Sequence, residues 1–105
     1  MAQFLFVYHG GKAPETDEAA AASMAAWGKW MSENSGAFAD PGNPVGKSKT
    51  VSGDGIVDHG GANPAAGYTI VKAADIDAAC EIARTNPMIA DGGSIEVAEI
   101  HEVEL

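Results

Sequence analysis

Gln3 to Tyr8 reads QFLFVY, and the reading of this stretch decides the fold. Aromatic and branched side chains in a short run favour a strand. The following His9-Gly10-Gly11 ends that strand in a flexible loop. Side chains alternate along a strand, so Phe4, Phe6 and Tyr8 face one side while Leu5 and Val7 face the other. Both sides are apolar. The run Gly67 to Lys72, GYTIVK, repeats the pattern, with Tyr68 and Ile70 on one side and the Thr69 methyl group with Val71 on the other. A sheet built from such strands has to be covered twice.

Outward from these strands, the sequence predicts two helices. Thr16 caps the first, with Asp17 and Glu18 in its opening turn against the helix dipole, and Ser35-Gly36 stops it after about Asn34. Ala20, Met24, Trp27 and Met31 form its expected inner stripe, which leaves Trp30 on the flank. Asp75 caps the second helix, where Ile76, Ala79, Cys80 and Ala83 form the stripe and Asn86-Pro87 ends it. Cys80 is thereby expected as a core thiol. Ala37 to Asp40 is a short strand, Lys49 to Ser52 and Gly55 to Val57 pair as a small hairpin, and the last strand runs from Ser94 to about Val103. In it Ile95 and Val97 point one way, Ala98 and Ile100 the other.

The order strand, helix, strand, irregular hairpin, strand, helix, strand predicts a single α+β domain over residues 1–105, a ferredoxin-like βαββαβ arrangement with both helices on one face. Two helices cover only one face of a four-stranded sheet. The other would be an apolar patch of a few hundred Å², a size that marks an interaction surface. The expected cover is a second copy of the same sheet about a two-fold axis, giving a homodimer. The alternative cover is the chain's own segment from Asp40 to Ala66.

Composition narrows the partners. Fifteen acidic against six basic residues give a formal charge of -9, which repels nucleic acid and anionic membranes at long range. The longest apolar runs are too short to cross a bilayer, and Met1 to Gly11 lacks the basic lead of an export signal, so a cytoplasmic location is expected. A single cysteine forms no internal disulfide.

Pro41 to Thr50, PGNPVGKSKT, ends in the Gly-Lys-Ser of a phosphate-binding loop. Such a loop needs four residues between its glycines and a helix after them. Here three residues separate Gly42 from Gly46, Pro41 stands where the first glycine belongs, and Ser48 to Val51 is extended in character. A proline cannot take the required conformations and lacks an N–H. No nucleotide and no other cofactor is implied.

Taken in order, QFLFVYHGG, AAWGKWM, ADPGNPVGKSKTVS, GYTIV and ARTNPMIADGGSIEVAEI resemble the YCII-like family of small dimeric α/β-barrel proteins, over nearly the whole chain. The resemblance rests on Asp40-Pro41-Gly42-Asn43-Pro44 and on the block from Asn86-Pro87 to Val97. It implies a ferredoxin-like fold and sheets packed face to face as a dimeric α/β barrel. It implies little chemistry: most members have no assigned activity, and some act on small, often aromatic, substrates through a histidine and an aspartate. That pair does not carry over, because this chain has Ala25 to Trp27 where the family has its histidine and Asn86 where it has its aspartate.

What remains for chemistry is a short set of residues. His9, at the end of the first strand, is expected beside the Asp40 loop, where the two would form a general acid/base pair. Trp30 on its helix flank could line a cleft and stack on a flat ligand, and Trp27 reads most simply as core. Lys47 could hold a carboxylate or phenolate, and His59 sits in the second of two HGG loops. The three histidines show no close ligand spacing such as HxH, so no metal site is expected. Two functions follow as expectations: a homodimer binding a small, possibly aromatic, organic molecule with His9-based proton transfer, or a non-catalytic module that binds a metabolite or a protein.

Overall fold

The computed structural model describes residues 1–104. The chain runs β1 (Ala2–His9), α1 (Asp17–Glu33), a single 3-10 turn (Ser35–Ala37), β2 (Phe38–Pro44), β3 (Thr50–Ser52), β4 (Gly55–Val57), β5 (Ala65–Ala73), α2 (Ile76–Arg84), α3 (Pro87–Ala90) and β6 (Ser94–Glu99). Four strands form one antiparallel sheet in the order β2-β5-β1-β6, and β3 pairs only with β4. The chain is thus mixed α+β, with a four-stranded antiparallel sheet and helices.

The caps read from the sequence are present. Thr16 Oγ1 accepts from the Ala19 N–H at 3.0 Å, and Asp75 Oδ1 accepts from the Ala78 N–H at 2.8 Å, satisfying donors that a helix start leaves open. β1 sits in the middle of the sheet with Phe4, Phe6 and Tyr8 toward the helices. Across it the register places Ile95 opposite Tyr8 and Val97 opposite Phe6 on that same side, and Ala98 opposite Leu5 on the other, as the alternation requires. The core joins Phe4, Phe6, Tyr8, Val71 and Ala73 of the sheet to Trp30, Ala79 and Ala83 of the helices. Full burial of each large apolar side chain stabilises the fold by about 1.5–3 kcal/mol.

Both helical stripes are rotated from their expected positions. The inner sector of α1 runs through Ala20, Ser23, Trp27, Trp30 and Asn34, so Trp30 is 3% exposed and Met24 is 77% exposed. The reason is Trp30 itself. Its ring packs on Trp27 and Phe38 at centroid distances of 5.9 and 5.3 Å, and its Nε1–H donates to Thr85 Oγ1 at 3.1 Å and the Ile82 carbonyl at 3.3 Å. A buried indole with both its area and its N–H accommodated outweighs one methionine. In α2 the inner face holds Ala78, Ala79, Ile82 and Ala83, and Cys80 is exposed rather than a core thiol. Turning the helix this way puts Ile82 against the core and two small alanines where helix meets sheet.

Other differences concern where elements end. β2 extends beyond Asp40 to Pro44 through two irregularities in its register, which an edge strand tolerates. Asn86-Pro87 ends one helix and starts another: the Asn86 side chain accepts from the Met88 N–H at 2.8 Å and Pro87 occupies the first helical position. β6 stops at Glu99, with one further backbone bond from the Ile100 N–H to the Gln3 carbonyl.

The opposite face of the sheet carries Leu5, Val7, Tyr68, Ile70, Ala98 and Ile100, all partly exposed and none in the buried core cluster. The β3–β4 hairpin forms a separate two-stranded sheet. The protein is flat and extended, 43 × 38 × 18 Å with a radius of gyration of 15.2 Å. A compact chain of this length would have about 13 Å.

Candidate functional site

Between α1, β2 and the helix-side surface of the sheet lies a cleft of about 370 Å³. Trp27 and Met31 of α1 form one wall, Pro41 to Pro44 of β2 the other, and Tyr8, Met88 and the β5 stretch Ala66 to Thr69 line the rest. The size suits a small organic molecule. No charged side chain lines it.

Each wall has a local cause. Trp27 and Met31 are four residues apart on α1 and so share a helix face. Trp27 stands edge-on to Tyr8 at a centroid distance of 5.4 Å. Gly42 takes a positive φ of 77°, and a Cβ there would lie 1.7 Å from the Tyr68 carbonyl oxygen, so only glycine lets β2 approach β5 this closely. Asp40 holds the bend, its Oδ1 accepting from the Gly42 N–H at 2.8 Å.

The floor is a directed chain of hydrogen bonds. Thr69 Oγ1 donates to the Pro41 carbonyl at 3.0 Å. Its single proton is then committed, so the 2.6 Å bond between Tyr8 Oη and Thr69 Oγ1 runs from the phenol to the threonine. Asn86 Nδ2 donates in turn to Tyr8 Oη at 3.4 Å. The chain ties the start of α3 to β1, β5 and β2. Burial raises the Tyr8 phenol above its ordinary 10.0 and outweighs the lowering by its contacts with Thr69 and Asn86. Tyr8 is therefore a neutral phenol near neutral pH. With its hydroxyl protons already used, the floor offers a ligand only spare lone pairs on oxygen.

The expected acid/base pair is not formed. Asp40 lies opposite Ile70, and Ile70 opposite Leu5, with β5 between β1 and β2. Asp40 is therefore four residues back along the strands and two strands across from His9, roughly 16 Å by strand geometry. The longer β2 is the cause, since it carries the chain past Asp40 before it turns. His9 instead places Nδ1 3.3 Å from the Pro64 carbonyl and Nε2 3.3 Å from Glu96 Oε1, on the sheet face away from the cleft. Both partners are acceptors, so which of the two contacts is a hydrogen bond depends on the tautomer of the ring.

The remaining expected residues divide. Trp27 packs against the core and also lines the cleft, whereas Trp30 is buried in the core and borders only a separate open depression between α1 and α3. Lys47 and His59 are exposed and line a separate open depression with Ser48, Asp58 and Gly60, away from Tyr8 and Trp27. His59 Nδ1 accepts from the Gly61 N–H at 3.0 Å, a local loop contact. Among the described residues no three His, Cys, Asp or Glu side chains converge in a way that could hold a metal ion. Tyr8, Thr69, Asn86, Met31 and Met88 were not singled out from the sequence. The available signal was Tyr8, the one polar tip on the Phe4-Phe6-Tyr8 side of β1.

Among the described residues no helix is long and apolar enough to cross a membrane. No protein-family model matches the chain, and no curated protein matches it either.

Proposed function

We propose that this protein is a binding module for a small, uncharged, flat organic molecule that donates a hydrogen bond, held in the cleft between α1 and the sheet. The observation that carries this reading is the lining: Tyr8, Trp27, Met31 and Met88 over a neutral hydrogen-bonded floor, with no cation to hold a carboxylate or phenolate. An anion would find no cation in this lining to offset the loss of its hydration. A phenol or an indole places an O–H or N–H against the free lone pair of Tyr8 or Thr69 and its ring against Trp27. Proton-transfer chemistry with His9 and Asp40 has no support in this geometry, and the non-catalytic alternative is preferred.

In the same proposal the protein works as a homodimer with the YCII-like, ferredoxin-like arrangement. Two features support it. The order β2-β5-β1-β6 is that of a split βαβ sheet, in which β5 inserts between β1 and β2 and β1 between β5 and β6. The face bearing Leu5, Val7, Tyr68 and Ile70 is apolar and has no helix upon it.

The test is a titration of the isotopically labelled protein with phenol, indole and benzoate, followed by amide chemical shifts. Phenol or indole is expected to shift Gly42, Gly67 and Met88, while benzoate at the same concentration leaves them in place. An equal response to benzoate, or silence to every neutral compound, would overturn the proposal.

A further inference from the structure

The hairpin β3–β4 stands outside everything described so far. Isolated two-stranded hairpins are marginal in water. This one pairs with no strand of the main sheet, yet it is firmly based. Thr50 Oγ1 donates to the His59 carbonyl at 2.7 Å, and Lys49 Nζ lies 3.5 Å from Asp58 Oδ1. Gly60 packs so tightly against Ser48 and Pro64 that a Cβ there would come within 2.8 Å of both side chains. Beyond this base Val51 and Ile56 sit directly opposite each other, 74% and 68% exposed. Val45, Val51, Ile56 and Val57 supply four of the nine large apolar side chains exposed among the described residues, in a stretch of thirteen. An apolar pair on a pinned hairpin is a surface made ready for a partner.

Charge and area identify that partner. The segment Val45 to Asp58 holds Lys47, Lys49, Asp54 and Asp58 and so is neutral, although the chain carries -9. A second copy, repelled by the acidic remainder, meets no added net charge at this segment. The uncovered sheet face presents about 400 Å² in plan, from four strands about 4.8 Å apart and roughly six residues of about 3.3 Å each. A stable interface buries about 800 Å² per partner. Plan area understates accessible surface, yet a face this small gives an interface at the small end of that range, which a further element enlarges.

We propose that the Thr50–Val57 hairpin is an exchange arm, which lays Val51 and Ile56 on a second copy of this chain and completes an interface begun by the open sheet face. A two-fold axis makes each copy donor and acceptor of an arm, so both are covered at once. The fixed base lets the arm dock with little ordering cost. This inference rests on the homodimer reading and goes beyond it by naming the element that closes the interface.

The experiment compares the full chain with the double variant Val51→Thr, Ile56→Thr, which keeps the strand-forming character of the hairpin, by sedimentation equilibrium over a range of concentrations. A wild-type dimer whose dissociation constant rises at least tenfold in the variant is expected. Hydrogen exchange of the wild-type amides at Thr50 to Val57 provides a second readout, with protection at high concentration lost on dilution. A wild-type dimer with an unchanged constant in the variant and concentration-independent exchange would overturn the arm and leave the dimer standing. A wild-type chain that stays near 10.7 kDa at high concentration overturns both. Protection that persists in the monomer means that the arm packs on its own protomer, and overturns the arm as well.

Discussion

On the helix side of the sheet Phe4, Phe6 and Val71 lie fully buried beneath Trp30, Ala79 and Ala83, whereas on the other side Leu5, Val7, Tyr68 and Ile70 keep part of their surface in water. The same strands supply both faces, residue by residue in turn. The difference lies in what packs on them. The helix side is finished within one protomer and even has room for a cleft at the end of α1. The open side has apolar composition without a cover, which suits a surface that is completed by assembly. A fold can therefore be stable by one face and social by the other.

That contrast can be broken most sharply at its strongest point. Phe6→Ala removes a fully buried ring from the helix side and is expected to lower the unfolding free energy by about 3–5 kcal/mol in chemical denaturation. An effect no larger than that of a surface substitution would mean that the helices do not seal this face. Next in size, Gly42→Ala forces a side chain into the left-handed region and against the Tyr68 carbonyl, at a cost of about 2 kcal/mol or more. It should also abolish the amide shifts caused by phenol, because β2 must move away from β5.

The open face sets the next test. Leu5→Lys should lower the unfolding free energy of dilute protein by only about 1 kcal/mol, far less than the Phe6 variant, since Leu5 is only partly buried. The same variant should weaken self-association at least tenfold, equivalent to about 1.4 kcal/mol, by sedimentation. A large loss of stability in the dilute protein would show that Leu5 is packed within its own protomer.

The smallest effect belongs to Tyr8→Phe, expected to cost about 1 kcal/mol by leaving Thr69 Oγ1 without its donor and Asn86 Nδ2 without its acceptor. It carries a pH signature. Burial raises the folded phenol above 10.0, so the native state holds this proton more tightly than the unfolded chain does. Stability is then undiminished below about pH 10, the unfolded value, and falls as pH rises from there through the folded value. Tyr8→Phe should remove that part of the alkaline fall, read from denaturation midpoints between pH 9 and 11.

Much of the fold was legible because its signals are local. Alternation in Phe4 to Tyr8 and in Tyr68 to Val71 marks strands and their sidedness, and Thr16 and Asp75 mark helix starts by the hydrogen bonds they make three residues on. The hairpin is announced by Gly53-Asp54-Gly55 between two short branched runs. Helix rotation was less legible. A stripe centred near Met24 and one centred near Trp30 differ by a fraction of a turn, and the choice was made by Phe38 after the turn and by Ile82 and Thr85, which reach Trp30 from 52 and 55 residues on. The cleft was hardly legible, since Tyr8, Thr69, Asn86 and Pro41 are joined across separations of 28 to 78 residues.

By itself, then, the amino-acid order determined which segments are strands and helices, where they are capped, and that both sides of β1 are apolar, since all these follow from neighbours within a few residues. Only the tertiary structure decided that His9 pairs with Glu96 instead of Asp40, that Trp27 faces a cleft while Trp30 fills the core, and that the cleft is uncharged. Those outcomes depend on strand order and register. A strand inserted between two others, or an edge strand a few residues longer, separates candidate partners by many ångströms without altering any local pattern.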